Sequence, residues 1–150
     1  MTPLEYFEQA KTSHAIPSDA QLQASYQYGV EADKLAHLVL TGTKTATTSA
    51  LDLYESDEPL PIKNAYDVIL DGNDDPVCII MNDDVKICNY LDVSEEHAYQ
   101  EGEGDRTLNY WRKAHQDFFV KEYQEMGQLF KPEAAKMILE TFHVVYPLNG

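Results

Sequence analysis

Apolar positions along this chain change period several times, and each change marks an element. Leu4, Phe7 and Ala10 recur at three-residue intervals and predict an opening helix that Pro17-Ser18-Asp19 breaks, so the first thirty residues read as helix and loop. Leu35, Leu38 and Val39 make one face of a second helix, from Glu31 to Leu40, with Glu31 and Asp33 at its positive N-terminal end. Gly42 is placed to end that helix, and the threonines of the Lys44–Thr48 stretch favour an extended path. Tyr66–Leu70 and Val77–Met81 flank a polar joint, Asp71–Pro76, which predicts an antiparallel hairpin; Val85–Leu91 reads as a third strand. Ser94 is placed to cap a short helix that delivers Glu101 near its end, and Gly102 and Gly104 then make that end a polar, mobile junction. Beyond Asp105, a second expected cap, Leu108, Trp111, His115 and Phe118 predict a long amphipathic helix to about Glu125, and Met137–Tyr146 reads as a closing strand. Helices, strands, helices and a final strand in that order predict an α+β domain with a mostly antiparallel sheet.

Composition narrows what such a domain can do. At 150 residues and 43% hydrophobic, the chain fits a single domain, 1–150, with its own core. Eleven lysines and arginines against 26 acidic residues give a formal net charge of -15, which repels nucleic-acid phosphates at long range, so any polyanion needs a local basic pocket. No apolar run is long enough for a membrane span, and Met1-Thr2-Pro3-Leu4-Glu5 has no basic region leading into an apolar one; a cytoplasmic protein is expected. Cys78 and Cys88 sit in strand-like apolar segments and are expected as reduced thiols. His14, His37, His97, His115 and His143 show no zinc-type spacing, so no structural metal is expected, and nothing in the sequence calls for a cofactor.

Two segments hold candidate chemistry. Gly42-Thr43-Lys44-Thr45-Ala46-Thr47 offers an ammonium and a hydroxyl three residues apart, and His97-Ala98-Tyr99-Gln100-Glu101 offers a carboxylate that can meet them. Residues three apart in a regular strand point to opposite faces, so Lys44 and Thr47 share a cleft only if their segment turns or bulges after Gly42.

These segments, together with Ser49, Tyr54-Glu55, Gly102-x-Gly104-Asp105-Arg106-x-Leu108-x-Tyr110-Trp111 and Phe118-Phe119, resemble the ASCH domain family in its bacterial form of about the length of this chain. The resemblance spans nearly the whole chain and implies a PUA-like fold: a small, closed or partly closed β-barrel surrounded by helices, here with an N-terminal helical extension. It also implies a cleft containing the Gly-x-Lys segment, for a nucleoside-like small molecule or single-stranded RNA. Amidohydrolase-like members carry Lys-Thr-x-Thr and His-Ala-x-Gln-Glu elements, which here place an active trio at Lys44, Thr47 and Glu101. Others resemble ribonucleases or RNA-binding modules, and a ligand sensor without turnover is a third reading.

The trio divides its labour in one of two ways. Thr47 attacks an amide with neutral Lys44 as base, or Glu101 activates water while Lys44 stays charged beside the oxyanion and Thr47 orients the substrate. Glu101, expected at a wet junction, favours the second. Gly42, Thr45, Ser49, Tyr54, Arg106, Arg112 and Trp111 are the candidate ligand contacts: the arginines for phosphate or carbonyl groups, or for salt bridges to Glu103 or Asp105, and the aromatics for stacking. At helical spacing with Leu108, His115 and Phe118, Trp111 also reads as core.

Overall fold

A computed structural model describes residues 1–29 and 31–147. Helix α1 (Pro3–Thr12) begins at a capping box in which the Thr2 hydroxyl accepts from the Glu5 amide and the Glu5 carboxylate accepts from the Thr2 amide. Then follow strand β1 (Leu22–Tyr26), helix α2 (Ala32–Leu40), strand β2 (Ala46–Ala50), strand β3 (Tyr66–Leu70) and the long strand β4 (Pro76–Asn89). Helices α3 (Glu95–Glu101) and α4 (Leu108–Glu125) and strand β5 (Lys136–Tyr146) complete the chain. The strands form one five-stranded sheet in the order β1-β3-β4-β5-β2, antiparallel except where β1 runs parallel to β3. The fold is α+β, and the sheet leaves β1 and β2 as edges instead of closing on itself.

Alternation along the β3–β4 hairpin separates two packed layers. Val68 and Ile79 face Phe7 and Ala10 of α1, whereas Ile69, Cys78 and Ile80 face Ala36 and Val39 of α2. A third cluster packs Trp111, Phe119 and Tyr123 of α4 against Tyr90, Ala98, Phe130 and Met137. Burying a side chain the size of Phe7 or Phe119, both fully enclosed, contributes about 1.5–3 kcal/mol. The aromatic stripe of α4 is therefore core, and it fixes α4 against the C-terminal end of α3.

Three elements differ from the sequence expectation. Strand β1 lies inside the segment read as loop: Leu22 and Tyr26 are four apart, the intervening residues are exposed, and no alternation marks a five-residue parallel edge strand. Strand β4 continues through Asn82-Asp83-Asp84, where a break was expected, because a bulge opposite β5 absorbs the polar residues and Asn82 is buried with a partner. Helix α4 is capped by Thr107, whose hydroxyl accepts from the Tyr110 amide; Asp105 accepts in turn from Thr107.

Candidate functional site

The chain leaves α2 through Gly42, at φ +83, and turns into β2. Lys44 lies in this turn, before the first residue of β2, so the regular strand that would have turned it away from the following threonines begins only at Ala46. Thr45 stitches the turn to α3: its amide donates to the Gln100 carbonyl at 2.7 Å and its carbonyl accepts from the Phe142 amide at 2.9 Å. Gly102, at φ +71, ends α3 where a β-carbon would stand 2.5 Å from the Thr43 carbonyl oxygen and 3.1 Å from the Lys44 α-carbon. Only glycine permits this approach, and the approach carries Glu101 to Lys44.

Lys44 and Glu101 are each 1% exposed. The Lys44 ammonium donates to the Ala46 carbonyl at 2.9 Å, to Glu103 Oε2 at 3.0 Å and to Glu101 Oε1 at 3.4 Å. Glu101 is the hub of a larger network. Its Oε2 accepts from the Thr48 hydroxyl at 2.7 Å and from the Trp111 indole N–H, and lies 3.2 Å from His97 Nε2; its Oε1 lies 3.5 Å from His115 Nε2. Burial pushes the Glu101 carboxyl up, but the Lys44 charge and the donors from His115 and His97 outweigh it and hold the group well below the usual carboxylate range. The expectation of a wet, mobile Glu101 is thus corrected: the Gly102 turn packs it inward, and Glu103, 24% exposed, is the carboxylate that reaches solvent.

The hydroxyl that meets Glu101 belongs to Thr48. Ala46, Thr48 and Ala50 share the face of β2 turned to α3 and α4, while Thr47 and Ser49 share the other. Thr48 also lies 2.9 Å from His97 Nε2. Thr47 stands opposite Glu140 of β5.

Beside this network opens a cavity of about 560 Å³, lined by Lys44, Thr47, Thr48, Ser49, Tyr54, Glu101, Glu103 and His115 among others. Tyr28, whose ring centroid lies 5.1 Å from the Lys44 ammonium, and Phe118 add aromatic wall. Among the described residues, seven carboxylates line the cavity and Lys44 is its only lysine or arginine. Gly42 and Thr45 shape the Lys44 turn without lining the cavity, and Trp111 is 2% exposed, stacked on His115 at 4.2 Å between ring centroids.

Neither arginine lines the cavity or pairs with Glu103 or Asp105 among the described residues. Arg106 stacks on Tyr99 at 3.6 Å and donates to the Tyr99 carbonyl at 3.1 Å. Arg112 donates to the carbonyls of Tyr90, Leu91 and Val93, tying α4 to the end of β4. Among the described residues, Glu101, Glu103 and His115 are spaced to hold a cation, and the Lys44 ammonium already lies against both carboxylates. Both cysteines are free thiols, Cys78 buried, and none of the described helices is long and apolar enough to cross a membrane.

Sequence reasoning passed over Thr48, Glu103, His115 and Glu140. His115 carried a signal, as the one imidazole on an otherwise aromatic and aliphatic stripe; Glu103 carried another, between two glycines that both adopt positive φ. The family model for the ASCH domain matches residues 24–146. The chain belongs to the ASCH domain family. The crystal structure of an ASCH domain from Lactobacillus crispatus JV V101 is similar at a TM-score of 0.87 and 31% identity, covering 96% of this chain and 94% of that one. A crystal structure of a protein from Enterococcus faecalis V583 is similar at a TM-score of 0.84 and 31% identity, over 99% of this chain and 97% of that one. No curated protein matches the chain in sequence. For this ASCH domain, the family resemblance of the Lys44 and Glu101 segments and the convergence of those two side chains point to the same cavity.

Proposed function

We propose that this ASCH domain protein hydrolyses an amide on a small nucleoside-like ligand held in the cavity beside Lys44. The observation that carries the reading is the Lys44–Glu101 pair, buried at 3.4 Å on the wall of a cavity of about 560 Å³, a size suited to one small molecule. Structural ion pairs also occur in cores, but this one ends at a hollow lined by further hydroxyls and carboxylates.

Roles follow from which atoms remain free. A carboxylate offers about four lone-pair sites, and Glu101 already meets Lys44, Thr48, Trp111, His97 and His115. Held ionised and fully engaged, it is a weak base with no room for water; it positions Lys44 and Thr48. Glu103, 24% exposed and bonded to Lys44 through one oxygen, keeps its other oxygen for a water molecule. In the proposed reaction the water oxygen bonds to the amide carbon as its proton passes to Glu103. Lys44, its three N–H groups already held by Ala46, Glu101 and Glu103, acts through its positive field on the charge that develops on the carbonyl oxygen, and the C–N bond then breaks as Glu103 passes its proton to the departing amine. Thr47, on the other face of β2, is assigned to substrate orientation.

A strand of RNA would ask for several cations along the backbone, whereas the cavity wall has one lysine among its carboxylates. The test is incubation of the purified protein with N4-acetylcytidine, with its 5′-monophosphate and with single-stranded RNA. Release of cytidine and acetate, slower for the phosphorylated substrate and with RNA left intact, is expected. Cleavage of RNA, or no turnover of either acylated compound, would overturn the reading.

A further inference from the structure

The Lys44 network uses one part of the cavity wall, and Glu140 occupies another. Glu140 is 6% exposed and forms no ion pair among the described residues. Its Oε1 accepts one hydrogen bond, from the Asn82 side-chain amide at 3.0 Å, and no donor among the described residues reaches its second oxygen. Asp67, 3% exposed, lies near enough to add its own negative field, but its oxygens are taken by the Gln23 amide at 2.9 Å and the Tyr26 hydroxyl at 3.3 Å. The Ser49 hydroxyl, near Tyr54, is also buried without a partner in good geometry. All four of Glu140, Asp67, Ser49 and Thr47 line the cavity.

A carboxylate taken out of water is ordinarily paired or fully hydrogen-bonded. Here the missing partner would have to come from the cavity. We propose that Glu140 is the recognition residue of a second subsite, which takes a planar N–C–N edge bearing two N–H donors, such as an amidinium group or the donor edge of a nucleobase. One donor meets the free Glu140 oxygen, and the Thr47 and Ser49 hydroxyls lie on the same wall to receive the other. The Asp67 charge favours a cationic edge over a neutral one and opposes a carboxylate or phosphate. The subsite stands apart from the proposed hydrolysis: the base of N4-acetylcytidine carries a single N–H, on the scissile amide, and no two-donor N–C–N edge, so Glu140 would take a different ligand.

Protonation gives the subsite a pH signature. The groups facing Glu140 are Thr47 on β2, Asn82 on β4, Asp67 on β3, Tyr26 on β1, and Tyr28 and Tyr54 beyond them. None is cationic. Burial, with Asp67 adding to it, pushes Glu140 up to about 7, while burial keeps Tyr26 and Tyr28 protonated throughout the neutral range. Between pH 8 and pH 6 the ionised fraction of a group at about 7 falls roughly tenfold, and affinity for a cation should fall with it.

The experiment is calorimetric titration of the intact protein with benzamidine, benzamide and benzoate at pH 8, repeated with Glu140→Gln. Benzamidine is expected to bind at least tenfold tighter than either analogue, to lose tenfold or more in Glu140→Gln, and to weaken about tenfold in the wild type at pH 6. Absence of benzamidine binding, equal binding of benzamide, or an affinity in Glu140→Gln within twofold of wild type would overturn the subsite. Binding is read without turnover, so failure of N4-acetylcytidine hydrolysis sinks the proposed reaction alone, and failure of the Glu140 dependence sinks this inference alone.

Discussion

Replacing Lys44 by methionine keeps most of the side chain's length and removes its charge, leaving Glu101 at 1% exposure with only neutral donors and histidines around it. Breaking a buried pair from one side costs about 3–5 kcal/mol. Coulomb's law gives an independent scale: at 3.4 Å and an effective dielectric of about 20, the attraction is about 5 kcal/mol. Glu103 competes for the same ammonium at 3.0 Å, and Thr48 and Trp111 continue to donate to Glu101. The part specific to the pair should therefore be about half of that, ~2–3 kcal/mol. Urea denaturation of the wild type, Lys44→Met, Glu101→Gln and the double variant at pH 7 measures it as a double-mutant cycle. The double variant should be more stable than the sum of the two single losses predicts. As pH falls through the depressed Glu101 value the coupling should vanish, because a carboxyl whose folded pKa is lowered contributes stability above its unfolded value and loses it on acidification. A coupling below about 0.5 kcal/mol, or a Lys44→Met variant as stable as the wild type, would refute the claim that the two charges depend on each other.

Glu140 should show the opposite sign. Burial raises its folded value to about 7, above the ordinary carboxylate value of 4.5, so its contribution is fully present below about pH 4.5 and is lost as pH rises from there through 7; Glu140→Gln should be more stable than the wild type by up to about 3 kcal/mol at pH 8 and differ little at pH 4, read by thermal melts at both. Gly102→Ala places a β-carbon 2.5 Å from the Thr43 carbonyl oxygen at φ +71, so a loss of at least 1–2 kcal/mol in denaturation is expected, roughly, together with reduced turnover as α3 moves away from Lys44. On N4-acetylcytidine, Glu103→Gln should lower kcat by about 10²–10⁴, while Thr47→Val should mainly raise KM; equal effects on both parameters in both variants would contradict the assigned roles.

Much of the fold was legible because hydrophobic period and cap residues agreed. Ser94, the β3–β4 hairpin and the α4 stripe each combined a local signal with an apolar pattern that the core then used. Strand β1 carried no such pattern, since an exposed edge strand is specified by its partner β3 and not by its own residues. The site was legible to the level of which segments meet. Lys44 and Glu101 do converge, but which threonine accompanies them depends on where β2 begins, and the start at Ala46 turns Thr48 toward Glu101. The dryness of Glu101 was hidden for a different reason. Gly102 reads in sequence as a loosening residue, and in the fold it is the residue that permits the tightest backbone approach in the site.

The central claim is that the Lys44 ammonium is the charge that stabilises the reacting amide. Steady-state kcat/KM for N4-acetylcytidine in Lys44→Met, at a temperature where circular dichroism shows the variant folded, tests it most directly. A fall of about 10³-fold or more is predicted, in line with removal of a preorganised charge from an enclosed site. A value within tenfold of wild type would contradict the account.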